Sequence, residues 1–361
     1  MNKRTIVIIL TALTFFALLA FPLLSCGGEV ESPDTDLPTA SEGLQIGTFF
    51  GEDGSTHLSV TGIGECKDSK IVIPSEYNGM PIEEVATRAF YGAEGITEIT
   101  VPCSVKKISL FAFAGCKDLE TVTLCNGVDF IDESAFADCG KLNSVTLPSS
   151  VKYVGSYAFI RTALTDISFP DGVEYVGREV MAKTPYFSAS ENWENGLLYA
   201  DKVLLASEPD ALDERCAVKE GTRVIASAVF ADVAEGPAEI VIPHTVEKIG
   251  DSVFSNCPSL IKVTLSDSLT ELGFGAFSNC SALETVNLPK NLTSISTFAF
   301  SDCARLTSVN IPVGVTYIGS DAFPSGITDI YYGGTKDEWE RIDSDWSSDT
   351  VTVHCTDPTA E

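Results

Sequence analysis

A repeat of 23 residues constrains the fold of this chain more than any other feature of its sequence. Each repeat is marked by a phenylalanine, or once a methionine, that usually follows alanine or valine. The markers are Phe90, Phe113, Phe136, Phe159, Met181, Phe230, Phe254, Phe277, Phe300 and Phe323. Self-similarity at such a period is the signature of a solenoid. We therefore expect about ten coils stacked one on the next.

One coil, CGKLNSVTLPSSVKYVGSYAF at positions 139–159, shows how a repeat is built. Val145-Thr-Leu147 alternates apolar and polar residues, as a short half-buried strand does. Pro148 ends that strand because proline has no N–H to donate to a strand ladder. A lone coil cannot bury its apolar side chains, so stability must come from stacking on neighbouring coils. The pattern predicts a mainly β solenoid with short parallel strands.

The repeated pattern Cys-x-x-Leu-x-x-Val-x-Leu-Pro-x-x-Val-x-x-Ile-Gly-x-x-Ala-Phe resembles the BspA-like leucine-rich repeats of bacterial surface proteins. The resemblance runs from about Leu44 to Cys355. It implies a leucine-rich-repeat solenoid over residues 44–329 and a C-terminal cap over residues 330–361. We expect Trp339 and Trp346 to cover the open core of the last coil.

The largest departure from the repeat is the irregular long repeat at residues 182–229. It contains Trp193, and Asn195-Gly196 stands before an apolar run, which is typical of a hairpin. Two interpretations stay open: an elongated coil, or a protruding binding element. A smaller departure places Cys125 where the repeat has proline.

The N-terminus resembles a lipoprotein signal peptide at residues 1–25. Lys3 and Arg4 precede an apolar run that ends in Leu-Ser-Cys26-Gly. The resemblance implies cleavage before Cys26 and acylation of its thiol as a lipid anchor. A transmembrane anchor is the alternative. The acidic stretch at 26–43, rich in Pro and Ser, predicts a disordered tether.

The charge of the chain excludes one class of partner. The net charge is −28, and residues 1–25 carry two basic and no acidic residues, so their removal leaves −30. Such a chain is repelled by nucleic acid and by anionic membrane surfaces. We expect no nucleic acid partner, and membrane attachment by the lipid anchor only.

Catalytic and metal-binding patterns are not evident in this sequence. His57, His244 and His354 fall near the two ends and the middle of the solenoid, too far apart to share a site. No nucleophile elbow, phosphate loop or Cys-x-x-Cys motif occurs. We therefore expect no enzyme, no cofactor and no metal. The repeated cysteines favour a ladder of buried thiols over disulfides or a metal site: Cys116, Cys139, Cys257, Cys280 and Cys303.

Two strand faces are candidate binding surfaces. The outward positions of the first strand form a small polar ladder with little anchoring power: Thr100, Thr123, Thr146, Ser168, Thr264, Asn287, Asn310 and Tyr331. On the second strand Phe130, Tyr153 and Tyr175 fall on three successive coils and predict an exposed aromatic stripe, with Trp193 overhanging it. This stripe is a candidate stacking platform for a peptide or sugar chain. The alternative is that these aromatics simply shield the coil edge.

The family resemblance implies adhesion or another interaction at the outer surface of the cell envelope. The expected partners are host proteins, other bacteria or extracellular matrix, with glycans as a further class. The alternatives are an accessory glycan-capture lipoprotein and a structural spacer.

Overall fold

The described part of the chain is a mainly β parallel solenoid with almost no helix. The computed structural model describes residues 39–51, 54–348 and 350–356. In this part the chain makes about 13 turns of roughly 23 residues. The marker residues alone predict ten turns. The additional turns lie at the two ends and in the irregular interval, where no marker phenylalanine stands.

A first ladder of parallel strands runs along one side of the solenoid in two sections. Its strands are Lys70–Val72, Glu98–Val101, Thr121–Leu124 and Ser144–Thr146, and then Arg215–Ala217, Glu239–Val241, Lys262–Thr264, Thr285–Asn287, Ser308–Ile311, Asp329–Tyr332 and Thr352–Cys355. Within a strand, burial alternates as the sequence predicts. Val122 and Leu124 are buried, and Thr123 between them is exposed.

A second ladder of shorter parallel strands runs along another side in three sections. Its strands are Thr56–Gly62, Met80–Val85, Lys107–Ile108, Phe130–Ile131, Tyr153–Val154, Tyr175–Val176, Val203–Ser207, Val224–Ile225, Lys248–Ile249, Ser294–Ile295, Tyr317–Ile318 and Asp343–Ser344. The strand Gln45–Phe50 pairs antiparallel with Thr56–Gly62 and covers the N-terminal end of this ladder. A short strand, Glu76–Tyr77, pairs antiparallel with Met80–Val85.

The third side of each coil is a tight turn around the marker residue. The marker N–H donates to a carbonyl of the next coil, as from Phe90 to Ala112 at 2.7 Å and from Phe300 to Ala322 at 2.7 Å. The residues two before and two after the marker adopt positive φ, for example Ser134 at 55° and Asp138 at 62° around Phe136. These turns aim the marker side chain into the interior.

The marker phenylalanines stack in two columns through the core. Phe90 to Phe159 form one column with ring centroids 5.1–5.4 Å apart, and Phe230 to Phe323 form the other with centroids 4.8–6.0 Å apart. The second column ends on Trp346, whose ring lies edge-on to Phe323 at 5.2 Å. Trp346 thus packs against the end of the core, where we expected a cap residue.

The irregular interval combines an elongated coil with a hairpin. Val203–Ser207 takes a place in the second ladder, because Val203 and Leu204 pair in parallel with Val224 and Ile225. Two antiparallel strands extend outward from it, Leu197–Ala200 and Trp193–Glu194. Asn195 and Gly196 form the predicted turn, with φ of 52° and 77°.

Helix is a minor component of this fold. The described residues contain two short α-helices, Pro185–Ser188 and Lys336–Trp339, and two 3-10 turns, Ser190–Asn192 and Pro209–Ala211. Within the same residues, no helix has the length and apolar character needed to cross a bilayer.

The five repeated cysteines are buried free thiols, which confirms the predicted ladder. Each thiol donates to the carbonyl of a marker phenylalanine on a preceding coil, for example Cys280 to Phe254 at 2.9 Å. Cys125 behaves differently. It forms a disulfide with Cys103 on the preceding coil, where the two Cα atoms are 4.8 Å apart. The departure from proline at position 125 therefore places a covalent link between neighbouring coils.

Candidate binding surface

Phe130, Tyr153 and Tyr175, for which the sequence predicts an exposed aromatic stripe, lie on three successive coils of the second ladder. The three residues are direct register partners. Their rings stack nearly parallel, with centroids 4.0 Å apart between Phe130 and Tyr153 and 4.5 Å apart between Tyr153 and Tyr175. All three side chains are half-buried. The stripe is thus a continuous column of rings lying along the surface.

Polar groups fix both ends of the stripe. The Lys107 ammonium lies 5.0 Å from the centre of the Phe130 ring, and it pairs with Asp132 at 3.4 Å. At the other end the Tyr175 hydroxyl donates to Asp251 Oδ2 at 3.1 Å and accepts from Ser227 Oγ at 3.0 Å. The stack is therefore held in one arrangement before any partner arrives, which lowers the entropic cost of binding.

The tyrosines of the stripe stay uncharged over the physiological pH range. Burial raises the pKa of Tyr153 to about 12, with Asp132 and Asp251 adding to the effect. Burial also raises the pKa of Tyr175, and the nearby Asp251 carboxylate raises it further. Ionising either phenol beside these carboxylates would bring like charges together.

The stacking decides which parts of the rings can touch a partner. Both faces of the Tyr153 ring are covered, one by Phe130 and the other by Tyr175. The outer part of the stripe therefore consists mainly of ring edges. Stacking a sugar on an aromatic ring needs a free ring face, whereas aliphatic and aromatic side chains pack well against edges. This geometry favours a protein partner over a sugar.

Trp193 is held by its own segment of the chain. Its indole N–H donates to the Phe187 carbonyl at 2.8 Å, and its ring lies edge-on to the Phe187 ring at 5.2 Å. It stands on the outermost strand of the hairpin, two strands from Val203–Ser207. Among the described residues, the ring contact of Trp193 is with Phe187 and not with the stripe.

The remaining candidate residues do not form a common site. Cys26 lies outside the described residues. His57 contacts Ser55 and Glu83, His244 contacts Glu220, and His354 contacts Asp329. Across the described part of the chain, no group of three or more His, Cys, Asp or Glu side chains could hold a metal ion.

Sequence reasoning missed the residues that hold the end of the stripe. Ser227 and Asp251 are 52 and 76 residues from Tyr175 in sequence and reach it only across the irregular interval. Their position depends on how that interval folds, and the local sequence carries no signal for it. The sequence does indicate that Lys107 lies next to the stripe, because it occupies the same repeat position as Phe130 one coil earlier.

Comparison with known proteins places the repeats in a family. A family model described as the BspA type leucine rich repeat region matches six copies over residues 65–189 and 217–344. No curated protein shows significant similarity to the chain.

Several solved structures resemble the protein. One is a leucine rich cell surface protein of Faecalibacterium prausnitzii A2-165, with 23% identity over 88% of this chain and 100% of the other, and a TM-score of 0.44. Another is a leucine-rich repeat protein of Bacteroides ovatus, with 20% identity over 89% and 100% of the two chains and a TM-score of 0.35. A third is the pneumococcal vaccine antigen PcpA, with 18% identity over 88% and 98% and a TM-score of 0.36.

Proposed function

Because the chain belongs to the BspA-type leucine-rich-repeat family, we propose that it is a cell-surface protein that binds extracellular proteins of a host, of other bacteria or of the matrix. The described fold offers a long, regular surface, and among the described residues no group of three or more His, Cys, Asp or Glu side chains could hold a metal ion. A binding role uses this surface directly.

The observation that supports a protein partner best is the preorganised aromatic stripe. Aromatic side chains dominate the binding energy of protein interfaces when they are rigid and can be fully desolvated. Phe130, Tyr153 and Tyr175 meet the first condition through stacking and through the contacts of Lys107 and Asp251. Their uncharged state lowers the cost of desolvation.

Charge narrows the class of protein partner. The chain carries 51 acidic and 23 basic residues. Near the stripe, Asp132 is paired with Lys107, whereas Glu133 is exposed. A partner that presents lysine or arginine around an apolar contact complements such a surface and is steered towards it at low ionic strength.

Attachment at the surface follows from the N-terminal sequence in this proposal. Cleavage before Cys26 and acylation of its thiol give the protein a lipid anchor, and the acidic segment after it serves as a tether. Mass spectrometry of the mature N-terminus, together with a Cys26→Ser variant, tests this part. The unmodified thiol in the wild-type protein, or unchanged membrane association of the variant, contradicts it.

The test of the binding site is an array of purified extracellular-matrix and bacterial surface proteins, probed with the wild-type protein and with variants. The triple variant Phe130→Ser, Tyr153→Ser, Tyr175→Ser should lose at least about tenfold in affinity for any protein that the wild type captures, since stripe residues would carry most of the binding energy.

A matched control exists in the other half of the solenoid. Phe274 and Phe298 form an exposed edge-to-face pair on neighbouring coils, and they are 49% and 37% exposed. The variant Phe274→Ser, Phe298→Ser should bind like the wild type. The single variant Tyr153→Gln is a milder change for the case that the triple variant does not fold. Circular dichroism verifies that both variants are folded. Undiminished binding by folded stripe variants removes the stripe as the site.

A further inference from the structure

The tight turns around the marker residues form the third side of the solenoid, which we call the turn face. Each turn runs from three residues before its marker to four residues after it. Five turns precede the irregular interval and five follow it. Within each group of five, the marker N–H donates to a carbonyl of the next coil at 2.7–3.0 Å. The turn face therefore rises by about the same distance per coil as the strand ladders, about 4.8 Å, and each group is a nearly straight row.

The two groups of turns differ in charge. All basic residues of the turn face lie in the first five turns: Arg88, Lys117, Arg161, Arg178 and Lys183. The last five turns carry acidic residues and neither lysine nor arginine: Asp232, Asp251, Asp302 and Asp321. Arg88, Lys183 and Asp321 are exposed, and within the described residues none of these three forms an ion pair. The first group thus presents positive charges, and the last group negative charges, that have no partner in the same molecule.

Aromatic rings reach the surface of the turn face in both groups. In the first group the Arg88 guanidinium lies 5.5 Å from the centre of the Phe111 ring and 5.6 Å from that of the Tyr91 ring. Tyr91 is 60% exposed. In the last group Phe274 and Phe298 form the exposed edge-to-face pair described above. Exposed apolar side chains grouped in this way are typical of an interaction surface.

An antiparallel pairing of two copies brings these groups together coil for coil. A two-fold axis that crosses the turn face at the irregular interval sets the first turn of one copy against the last turn of the other. Each repeat position then meets the same repeat position of the second copy. Arg88 meets Asp321, both two residues before a marker, and Phe111 meets Phe298 at that same position one coil further in.

The remaining charges fit the same register. Lys183 and Asp232, each two residues after a marker, meet next to the two-fold axis. No acidic residue of the first five turns meets another acid. In the order Glu94, Glu133, Asp138 and Glu179, the residues that they meet are Ile327, Phe274, Asn279 and Ala228. A symmetric dimer makes every one of these contacts twice.

From this complementarity we propose that two copies of the chain pair antiparallel through their turn faces. A parallel pair does not offer the same match, because a two-fold axis along the solenoid sets each turn against its own copy with the chain direction reversed. Arg88 then meets Gly92, and Asp321 meets Ser325, so both charges stay unpaired. The charges therefore select the antiparallel register.

The size of the turn face is sufficient for a stable dimer. Ten turns at about 4.8 Å give a length of about 50 Å. The five residues centred on each marker span at most about 17 Å, so the face can bury up to roughly 800 Å² per copy, the area of a standard stable interface. Each copy has a net charge of −28, so the affinity must come from the apolar contacts and not from net attraction.

The experiment is oxidative cross-linking of the full chain through engineered cysteines. Arg88→Cys and Asp321→Cys are separated within one copy by at least nine coil steps, or more than about 40 Å, which no disulfide can span. We expect the chain with both substitutions to form a covalent dimer, and a mixture of the two single variants to do the same. Neither single variant alone should exceed the wild type, whose own cysteines set the background.

Further variants separate the apolar contribution from the charged one. Phe298→Ser, added to the chain with both cysteines, should lower the yield of covalent dimer at least about tenfold. Phe298 is exposed, so the fold is kept, and circular dichroism verifies this. Phe50→Ser is the matched control, because Phe50 is exposed on the strand Gln45–Phe50, away from the turn face. It should leave the yield unchanged.

The charge pair is tested with a second pair of cysteines, Arg161→Cys and Asn256→Cys, which meet two residues after their markers in the same register. Arg88→Asp should lower the yield of this cross-link severalfold, and adding Asp321→Arg should restore it.

Three results overturn the proposal: a background yield in the chain with Arg88→Cys and Asp321→Cys, equal cross-linking of Arg88→Cys alone, or no recovery in the double charge reversal. The dimer does not rest on the proposed function, because the aromatic stripe lies on the second ladder. Phe298→Ser should therefore keep the capture of a protein partner while it loses the dimer.

Discussion

At the residue scale, the same amino acid plays different roles according to its place in the coil. Cys280 sits inside the coil, where it is fully buried and its thiol donates to the Phe254 carbonyl at 2.9 Å. Cys103 and Cys125 sit in the turns that follow first-ladder strands, at the surface, where they join two coils. A hydrogen bond with the Cys257 thiol lowers the pKa of Cys280, but a hydrogen bond with Cys303 and burial outweigh it and raise the pKa to about 12. A protonated, fully buried thiol in this position is a poor nucleophile, so the Cys280 thiol is structural.

Tyr153 gives a prediction at this scale, because its pKa in the folded protein is raised to about 12 by burial and nearby carboxylates. In the unfolded chain the value is about 10. The unfolded state therefore loses its proton first, so stability is fully present below pH 10 and falls as the pH rises towards 12. Tyr153→Phe keeps the ring and removes the titrating group. We expect urea unfolding at pH 9, 11 and 12 to show the variant gaining stability relative to wild type.

Tyr186 and Tyr199, whose pKa values are also raised to about 12, are present in both proteins and cancel in the comparison. A stability difference that stays constant from pH 9 to pH 12 contradicts the assignment of this loss to Tyr153.

At the scale of elements, the sequence predicts the strands and the inward markers better than it predicts the turns. Two residues after the marker, Gly115, Asp138 and Asn256 adopt positive φ, and their residue types favour that conformation. Two residues before the marker, Phe111 and Tyr157 adopt it as well, although their types do not. There the hydrogen bonds between coils impose the conformation. The local sequence does not predict this conformation, because it depends on contacts with a neighbouring coil. The contact between Tyr175 and Asp251 could not be predicted for the same reason.

A glycine stands four residues before five of the ten markers, and it offers a prediction about coil spacing. A Cβ at Gly273 would lie 2.1 Å from the Gly250 carbonyl oxygen of the preceding coil. Gly273→Ala must therefore push two coils apart and should destabilise the protein by about 1–3 kcal/mol. A Cβ at Gly140 meets no atom within 4 Å, and Gly140 is not among the positive-φ residues. Gly140→Ala is the matched control and should change stability by less than about 0.5 kcal/mol. Equal effects in chemical denaturation contradict the spacing argument.

At the scale of the whole solenoid, stability is a sum over coils and the interfaces between them. The interfaces between coils do not all contribute equally to stability. The phenylalanine column from Phe90 to Phe159 and the column from Phe230 to Phe323 are separated by the irregular interval. Buried apolar residues such as Leu198 and Leu204 continue the core through the interval. Polar contacts also bridge it: Ser227 N–H to the Val176 carbonyl at 2.9 Å, Arg223 to the Asp171 carbonyl at 2.5 Å, and Tyr175 to Asp251 at 3.1 Å. The weakest coupling in the molecule is therefore expected at this point.

Tyr175→Phe tests that expectation, because it keeps the stacked ring and removes the hydroxyl that reaches Asp251. Because neither phenylalanine column extends across the interval, we expect calorimetry to resolve two unfolding transitions in the variant where the wild type shows one. Hydrogen exchange should then show the coils before Val176 and those after Val224 opening separately. The control is Tyr317→Phe, which removes a similar 3.1 Å hydrogen bond, from Tyr317 to Asp345, away from the interval. It should leave a single transition. If both variants show a single transition, the two phenylalanine columns unfold as one unit. The hydrogen bond from Tyr175 to Asp251 is then not what couples them.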